Sequence, residues 1–447
     1  MIEQILSLKV GASLSENEFT LDELLLASKE LFEREGIPGF LQVLLRLLDD
    51  MVYKKVLGVG RHDCCKKSHL VVTRREEKKT VRTGVGTVTV LWTRLKCKSC
   101  HKTTIPLRTF LGLDRYQKKS VELEKTVVEL LSEQSYRRGE VHLKSIGSIE
   151  IPHTTLHRWV MASCCDEIPL KGRCDTLVAD GTGYKKKPEY ESNRGEVKVV
   201  VGVDRDGGVR PYGAWTDESW QSIGQMIKAA NHPNERVKFK AIANVLVSDG
   251  EAGLIHGLKK LTLDHQRCHW HIVKDIYQPL RIEGGASIEE TRSFQGELAA
   301  AIELHIPEED FDQVSAEEKL GLEKKIWMAE KGVQDLIDEL ITKGYGDAAR
   351  YLIRAKKGMF AYLRTWLHMG LKNPRVSSMI ERMMREIGRR IKKIGFGWSK
   401  KGAEKMTKII IKRITSAGEW EEYWKNRLNI TGNVRLTFLG CEIMEPS

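Results

Sequence analysis

The sequence lacks any apolar run long enough to cross a membrane, and it contains no internal repeat or low-complexity segment. A membrane-spanning helix needs about 20 consecutive apolar residues. The first ten residues also lack the long apolar core of a signal peptide. We therefore expect a soluble intracellular protein with no membrane partner. Nine cysteines, an odd number without a secretion signal, argue against a disulfide framework and favour metal ligands and buried thiols.

What the sequence does have is globular composition and excess positive charge. Of its 447 residues, 41% are hydrophobic and 30% are charged, which excludes a disordered chain. The length is too great for one ordinary domain. The formal net charge of +12 favours a polyanionic partner such as nucleic acid. Basic residues crowd residues 375–413, although any single charge run is also typical of a solvated face.

The pattern of apolar residues and turns predicts a multidomain α+β protein. We divide it into an N-terminal helical segment, a zinc-ribbon-like β module, a helix-turn-helix region, the first part of an α/β core, an all-helical insertion, and a second part of the core with a glutamate-bearing helix and a C-terminal tail. The corresponding residues are 1–56, 57–115, 116–168, 169–275, 276–370 and 371–447.

A cysteine knuckle marks the β module. Cys97-Lys98-Ser99-Cys100 follows a predicted strand, and Zn²⁺ stabilises modules too small to hold a core of their own. The other half of the site is ambiguous, because His62, Cys64, Cys65 and His69 all compete as ligands. The spacing favours His62 and Cys65 together with Cys97 and Cys100. The alternative is a metal-free hairpin with reduced thiols.

The region that follows has the sequence pattern of a helix-turn-helix. A helix, a short helix, a turn and a final helix are predicted between residues 117 and 163. The final helix begins near Pro152 and presents polar side chains, among them Arg158, that are suited to DNA. A generic helical linker is the alternative interpretation.

Three carboxylates stand out in the α/β segments. "TLVAD" and "NVLVSD" are buried strands that end in Asp180 and Asp249, and Glu381 lies on a later basic helix predicted over 376–393. The order strand, hairpin, helix, strand, helix, strand and glutamate helix is that of an RNase H-like core. Two-metal phosphoryl transfer needs such oxygen ligands for its ions. Taken singly, each residue also fits turn, N-cap or capping-box chemistry.

Glu386 competes with Glu381 for the third position. The two glutamates lie about 140° apart around a helix, so only one points at the metals. Glu381 lies nearer the apolar stripe of this helix, and we therefore favour it. We expect Glu386 to form an exposed ion pair with Arg390.

Four segments of the sequence resemble those of a known family. "LVADGTGYK", "VLVSDGEAGL", "RCHWHIVKDI" and "VSSMIERMMREIGRRIKKIGFGW" are similar to prokaryotic insertion-sequence DDE transposases of the Mutator-like superfamily and their relatives. In that superfamily a Cys-x2-His pair follows the second aspartate, and Cys268 and His271 fit it. Ser377 to Glu381 fits the motif of the third carboxylate. The similarity spans roughly residues 170–400, and the ribbon and helix-turn-helix resemble DNA-end-recognition modules.

The resemblance implies an enzyme that cleaves DNA at element ends and transfers the strands into target DNA. Asp180, Asp249 and Glu381 would hold two Mg²⁺ or Mn²⁺ ions, and a structural Zn²⁺ would occupy the ribbon. Cys268 and His271 are expected to be structural, with a metal half-site as the alternative. Phosphate contacts are expected from Lys185, Arg158, Arg382, Arg385, Arg389 and Lys392.

The resemblance also implies a setting and partners. The DNA partners would be terminal inverted repeats and target sites, bound by a homodimer or larger assembly in the prokaryotic cytoplasm, at the nucleoid. Two other functions stay open: a catalytically inactive transposase-derived DNA-binding protein and an RNase H-like host nuclease.

Overall fold

The computed structural model describes residues 21–59, 64–65, 69–147, 149–188, 193–232, 240–393 and 396–430. It is a mixed α+β structure that divides into two compact units, Met1–Val160 and Met161–Ser447. Within the described ranges, no helix is both long and apolar enough to span a bilayer.

The first unit opens with helices and a hairpin. Helix α1 (Leu21–Glu30) continues through a wider π-helical stretch (Leu31–Gly36) into α2 (Ile37–Val59). Strands β1 (Leu70–Thr83) and β2 (Gly86–Cys97) pair antiparallel, and β3 (Thr103–Thr104) adds a short third strand. Gly84 and Val85 form the turn between β1 and β2.

A small apolar core joins α2 to this hairpin. The core consists of Leu45, Val81, Val88, Val90, Trp92, Ile105 and Leu107. Buried Asp49 on α2 accepts bonds from the backbone N–H (3.0 Å) and the hydroxyl (2.7 Å) of Thr93 on β2. A buried carboxylate that is satisfied in this way fixes how the helix lies on the strands.

Helices complete the first unit. They are α3 (Pro106–Phe110), α4 (Val121–Glu133), α5 (Tyr136–Gly147) and α6 (His153–Ala162). Glu140 on α5 accepts from the backbone N–H of His153 at 3.0 Å and lies 2.8 Å from its Nδ1. Tyr136 and His157 meet edge to face at 5.1 Å. Helices α5 and α6 therefore form a tied pair.

The second unit contains a five-stranded sheet. Its strands are β4 (Thr176–Lys185), β5 (Arg194–Val203), β6 (Val209–Thr216), β7 (Ala243–Ser248) and β8 (Thr262–Arg267). The spatial order is β6-β5-β4-β7-β8. The β4–β5 and β5–β6 pairs are antiparallel, whereas β4–β7 and β7–β8 are parallel.

One end of β4 differs from our expectation. We predicted that the strand ends at Asp180, but it continues to Lys185. The cause is the long hairpin with β5, because ladder pairing persists as far as Lys185 and Arg194. Asp180 therefore lies within a strand, and the turn interpretation of this residue is wrong.

Helices α7 (Trp220–Asn231) and α8 (Ala252–Leu258) cover one face of the sheet, and their close packing depends on glycine. A Cβ on Gly224 would lie 2.2 Å from the carbonyl oxygen of Gly257. Leu177, Ala179, Trp215 and other apolar residues fill the core between these helices and the strands.

Between β8 and residue 370, a stretch that includes the predicted insertion 276–370, the secondary structure is helical. Its helices are α9 (His269–Asp275), a π-helical turn (Gln278–Glu283), α10 (Ile288–Ala301), α11 (Ala316–Thr342), α12 (Gly346–Lys356) and α13 (Ala361–Met369). They share a core of their own, centred on residues such as Leu298, Val333, Leu352 and Trp366.

Three helices close the described part of the second unit: α14 (Ser378–Ile391), α15 (Lys400–Thr415) and α16 (Ala417–Leu428). Helix α14 is shorter at both ends than predicted and packs against β4, while α15 packs against β6. Trp398, between α14 and α15, is 4% exposed and bridges to Lys186 beside β4. This connection closes the face of the sheet opposite α7 and α8.

Candidate metal centre

Asp180 and Asp249 lie at the same level of two neighbouring parallel strands. Val178 on β4 pairs with Val247 on β7, so two residues further along each chain the aspartates stand side by side. Leu177 and Ala179 point into the core under α7 and α8. Because side chains alternate along a strand, Asp180 points to the other face, toward α14.

Glu381 reaches this place from the first turn of α14. Its Oε1 accepts a hydrogen bond from Ser377 Oγ at 2.9 Å and lies 3.9 Å from Nδ1 of His271. The capping box with Ser378 does not form, since the residue before the helix is Ser377 and its side chain makes no cap bond. The side chain of Glu381 therefore takes no part in a capping box.

The carboxyl group of Asp180 is in an unfavourable place for a negative charge. Burial raises the pKa of Asp180 to about 6, and the negative charges of Asp249 and Glu381 add to the rise. The backbone N–H of Gly181, which donates to Oδ1 at 2.7 Å, and the charge of His271 oppose it. When the carboxylates of such an acidic cluster are all ionised, they repel one another. A bound cation relieves this repulsion and is therefore favoured.

His271 is the basic side chain that lies against the cluster, with its Nδ1 3.9 Å from Glu381 Oε1. Among the described residues, Asp180, Asp249 and Glu381 make no ion pair with a lysine or arginine. Asp249 instead accepts the backbone N–H of Glu251 at 2.9 Å, a turn bond that leaves its second oxygen available. The three side chains are half-buried, so an ion reaches them from solvent.

The Cys-x2-His pair lies beside Glu381. Cys268 is fully buried and precedes α9, and His271 lies on that helix. The backbone N–H and the Oγ of Ser377 approach Cys268 Sγ at 3.3 and 3.2 Å. The expected structural role fits these contacts, because Cys268 ties α9 to the start of α14, which carries Glu381.

Sequence reasoning assigned no role to Arg267. Its guanidinium lies against the backbone of Gly250 and over the ring of Tyr351, 5.8 Å from the centroid. Arg267 is only 8% exposed, and its positive charge lowers the pKa of Asp275, which burial raises. The signal available in the sequence was its place immediately before Cys268 on a strand that pairs with Ser248.

The predicted phosphate-contacting residues of the second unit are all exposed. Arg382, Arg385 and Arg389 lie on α14, and Lys392 directly follows the helix. Their spacing of three, four and three places them on one side of the helix. Lys185 is exposed at the end of β4. These exposed basic side chains and the candidate metal centre thus share α14.

The expected ion pair of Glu386 with Arg390 is corrected. Glu386 pairs with Arg389, whose Nη1 lies 2.8 Å from Oε1, and not with Arg390. Arg390 is 1% exposed and its guanidinium lies 4.7 Å above the ring of Trp398. Arg390 falls on the buried stripe because it follows Ile387 by three positions, and Trp398 covers it. Glu386 points away from the metal centre.

In the first unit, four cysteines form a second cluster. The thiols of Cys64, Cys65, Cys97 and Cys100 all lie within 4.8 Å of one another. Cys65 Sγ and Cys97 Sγ are 3.6 Å apart, close to the separation of about 3.8 Å between two thiolates on tetrahedral Zn²⁺. The cluster can hold a metal ion, and a structural zinc is compatible with it.

The cluster includes Cys64, which the favoured set of His62, Cys65, Cys97 and Cys100 left out. Cys64 completes a four-cysteine cluster, while His62 lies outside the described residues. Backbone N–H groups, first of all that of Cys100, lower the pKa of Cys97. Lys98 N donates to the carbonyl of His69 at 2.8 Å, so His69 joins the knuckle through its backbone.

Arg158 lies on the exposed side of α6 in this unit, as expected. Its Nη2 donates to Thr155 Oγ1 at 3.1 Å. The inner side of the same helix carries buried Leu156 and Val160. Helix α6 thus has a packed face and a polar face.

Comparisons with known proteins add no relative: no family model matches this chain, and no curated protein matches it either.

Proposed function

We propose that the chain is a DDE transposase, a metal-dependent enzyme that cleaves DNA at element ends and joins them to target DNA. The observation that carries the proposal is that the β4–β7 register sets Asp180 beside Asp249, while the helix of Glu381 packs against β4. The three residues come from a central strand, the end of its parallel neighbour and a helix packed beside them. The strand order, with a hairpin on one side of β4 and parallel strands on the other, supports an RNase H-like core.

The donor set fits Mg²⁺. Carboxylate oxygens are the ligands that Mg²⁺ prefers, and burial together with the negative charges of Asp249 and Glu381 raises the pKa of Asp180, so a cation beside it would be favourable. When bound, Mg²⁺ would supply Lewis acidity at the phosphate that is cleaved. Asp180, Asp249 and Glu381 would hold the ions, and their strand and helix positions keep them in place. We assign none of the three a proton-transfer role.

The chain's cations would bind the DNA backbone. Arg382, Arg385 and Lys392 form an exposed stripe on the helix that carries Glu381. A DNA strand whose phosphates lie along that helix would therefore run toward the carboxylates. Contacts of this kind supply affinity and salt dependence but not sequence choice. Recognition of the ends would fall to the first unit, through the ribbon and through Arg158 on α6.

The test uses DNA duplexes made from the sequences that flank the gene, with a four-way junction and a random duplex for comparison. A transposase cleaves the flanking ends in Mg²⁺ and joins them to a second DNA. Binding of the ends without cleavage would mean an inactive derivative. Cleavage of the junction without regard to the ends would mean a host nuclease.

Asp180→Asn is the decisive variant. A metal ligand contributes several kcal/mol to the transition state, so we expect at least about a 10³-fold loss of cleavage and joining. End binding should stay nearly unchanged, because Asp180 contacts no base. Asp206→Asn is the matched control, since Asp206 is an exposed aspartate of the β5–β6 hairpin. Substantial cleavage by purified Asp180→Asn protein would contradict the assignment.

A further inference from the structure

Glu381 belongs to a second group of ligand atoms besides the acidic one. The Sγ of Cys268, a ring nitrogen of His271 and a carboxylate oxygen of Glu381 all lie within 4.8 Å of one another. The closest measured approach of the imidazole and the carboxylate, Nδ1 to Oε1, is 3.9 Å. The cluster joins α9 and α14, which are already tied through Ser377 and Cys268.

The chemistry of this set differs from that of the three carboxylates. A thiolate and an imidazole with one carboxylate suit Zn²⁺ and other borderline or thiophilic ions, whereas Mg²⁺ avoids sulfur. Ligand atoms on one tetrahedral Zn²⁺ are about 3.3–3.8 Å apart, given bond lengths of about 2.0–2.3 Å. The observed separations require the three side chains to close by roughly 1 Å.

The elements that carry the ligands are ready to hold an ion. The Cys-x2-His spacing places Cys268 and His271 on one turn, with Cys268 immediately before α9. The hydroxyl of Tyr351 donates to the carbonyl of His271 at 3.2 Å and so braces that turn. The side chains of His271 and Glu381 are 14% and 25% exposed. Those exposed sides give an ion a path in and leave a fourth position for water.

We propose that Cys268, His271 and Glu381 form a binding site for a thiophilic divalent cation, Zn²⁺ foremost, that shares Glu381 with the Mg²⁺ site. One consequence, which rests on the proposed function, follows from the sharing. Zn²⁺ at this site draws Glu381 away from Asp180 and Asp249, so Zn²⁺ antagonises Mg²⁺-dependent cleavage. The site has three protein ligands, so it binds its ion less tightly than the four-cysteine cluster and fills only when the ion is added.

The binding test uses full-length protein in which the four-cysteine cluster is filled with Zn²⁺, and it requires no DNA. Titration with Co²⁺ should add one equivalent with a thiolate-to-Co²⁺ charge-transfer band. The band should vanish in Cys268→Ser, and Co²⁺ affinity should fall at least about tenfold in Glu381→Gln, as for the loss of one ligand. Cys174→Ser is the control, because Cys174 is a buried thiol of the same unit outside the cluster.

Two measurements keep the test decisive. Thermal unfolding without metal shows whether each variant folds. Should the Cys268→Ser protein misfold, Glu381→Gln still tests the site, because the Glu381 side chain is 25% exposed and its replacement perturbs folding less. Failure of wild-type protein to bind added Co²⁺, or a band unchanged in Cys268→Ser, overturns the proposal. Either result stands whether or not the protein cleaves DNA.

The shared glutamate is tested separately where cleavage is observed. At fixed Mg²⁺, the Zn²⁺ concentration for half-inhibition should rise at least about tenfold in Cys268→Ser, in step with the lost ligand. Equal inhibition of wild-type and Cys268→Ser protein would refute the sharing. An absence of all cleavage, with Co²⁺ bound as expected, would instead refute the transposase and leave the site standing.

Discussion

The guanidinium of Arg267 occupies the space where a side chain at position 250 would lie. A Cβ on Gly250 would be 0.6 Å from Nη1 of Arg267, and the φ of Gly250 is +94°. The turn after Asp249 is thus built around a buried arginine that the next strand supplies. Tyr351 of the insertion lies on the other side of that arginine. The second aspartate, β8 and the insertion therefore meet at a single side chain.

We expect Gly250→Ala to displace Arg267 and disturb Asp249. Positive φ alone costs an alanine about 1–3 kcal/mol, and the displaced buried arginine should add at least about 1 kcal/mol. Gly207→Ala is the control, because Gly207 has a φ of +82° with nothing within 4 Å of a Cβ. Urea unfolding of both variants gives the difference. Equal losses of stability would show that Arg267 moves aside freely.

The two glutamates of α14 should behave differently. Glu381→Gln removes a proposed metal ligand, so single-turnover cleavage in Mg²⁺ should fall by orders of magnitude. Glu386→Gln removes only the exposed pair with Arg389, which is worth a few tenths of a kcal/mol. A dead Glu386→Gln enzyme beside an active Glu381→Gln enzyme would show that the wrong side of the helix was assigned.

Metal analysis tests the four-cysteine cluster. Protein purified without chelators should carry about one tightly held zinc per chain, as expected for a small module that depends on its metal. The double variant Cys97→Ser/Cys100→Ser should lose it, while Cys174→Ser should keep it. Finding no zinc in the unaltered protein would reject the site.

Acid should weaken the second unit through His265. Burial, with the nearby charge of Arg267, lowers the pKa of His265 to about 4, and its Nε2 lies 2.9 Å from Ser248 Oγ. The unfolded chain takes up this proton near pH 6.5, so the stabilisation is present above that pH and is lost as pH falls toward 4. The loss is at most about 3 kcal/mol.

Urea unfolding between pH 7 and pH 4 measures this effect. His265→Asn should reduce the pH dependence but not remove it, because burial also lowers the pKa of His269 to about 4. His305→Asn should leave it unchanged because the His305 side chain is 68% exposed. An unaltered pH profile in His265→Asn would mean that other groups cause the acid sensitivity.

Local patterns were enough to single out the three carboxylates as candidates. Each aspartate closes a run of buried apolar residues, and Glu381 flanks an apolar stripe of helical period, so the sequence marks which side chains leave the core. Their relative placement depends on the parallel pairing of β4 with β7 and on α14 packing against β4.

What the sequence did not reveal depends on partners distant along the chain. β4 continues past Asp180 because β5 pairs with it, and no residue within β4 signals this. Arg390 is charged yet buried, since Trp398 from the next segment lies over it. The fourth thiol of the cysteine cluster depends on how two adjacent cysteines turn toward the knuckle. Periodicity and spacing carry no information about such contacts.

The place of the helical insertion has a consequence for synthesis of the protein. Its segment around Gly358 and Tyr362 hydrogen-bonds to Arg267 and Gln266 on β8. The chain then passes beside Cys268 and continues to Glu381 on the next helix. A ribosome makes Asp180 and Asp249 long before Glu381. A nascent or prematurely terminated chain that stops within the insertion has two of the three carboxylates, and the ligand set is complete only after the insertion has been made and folded onto β8.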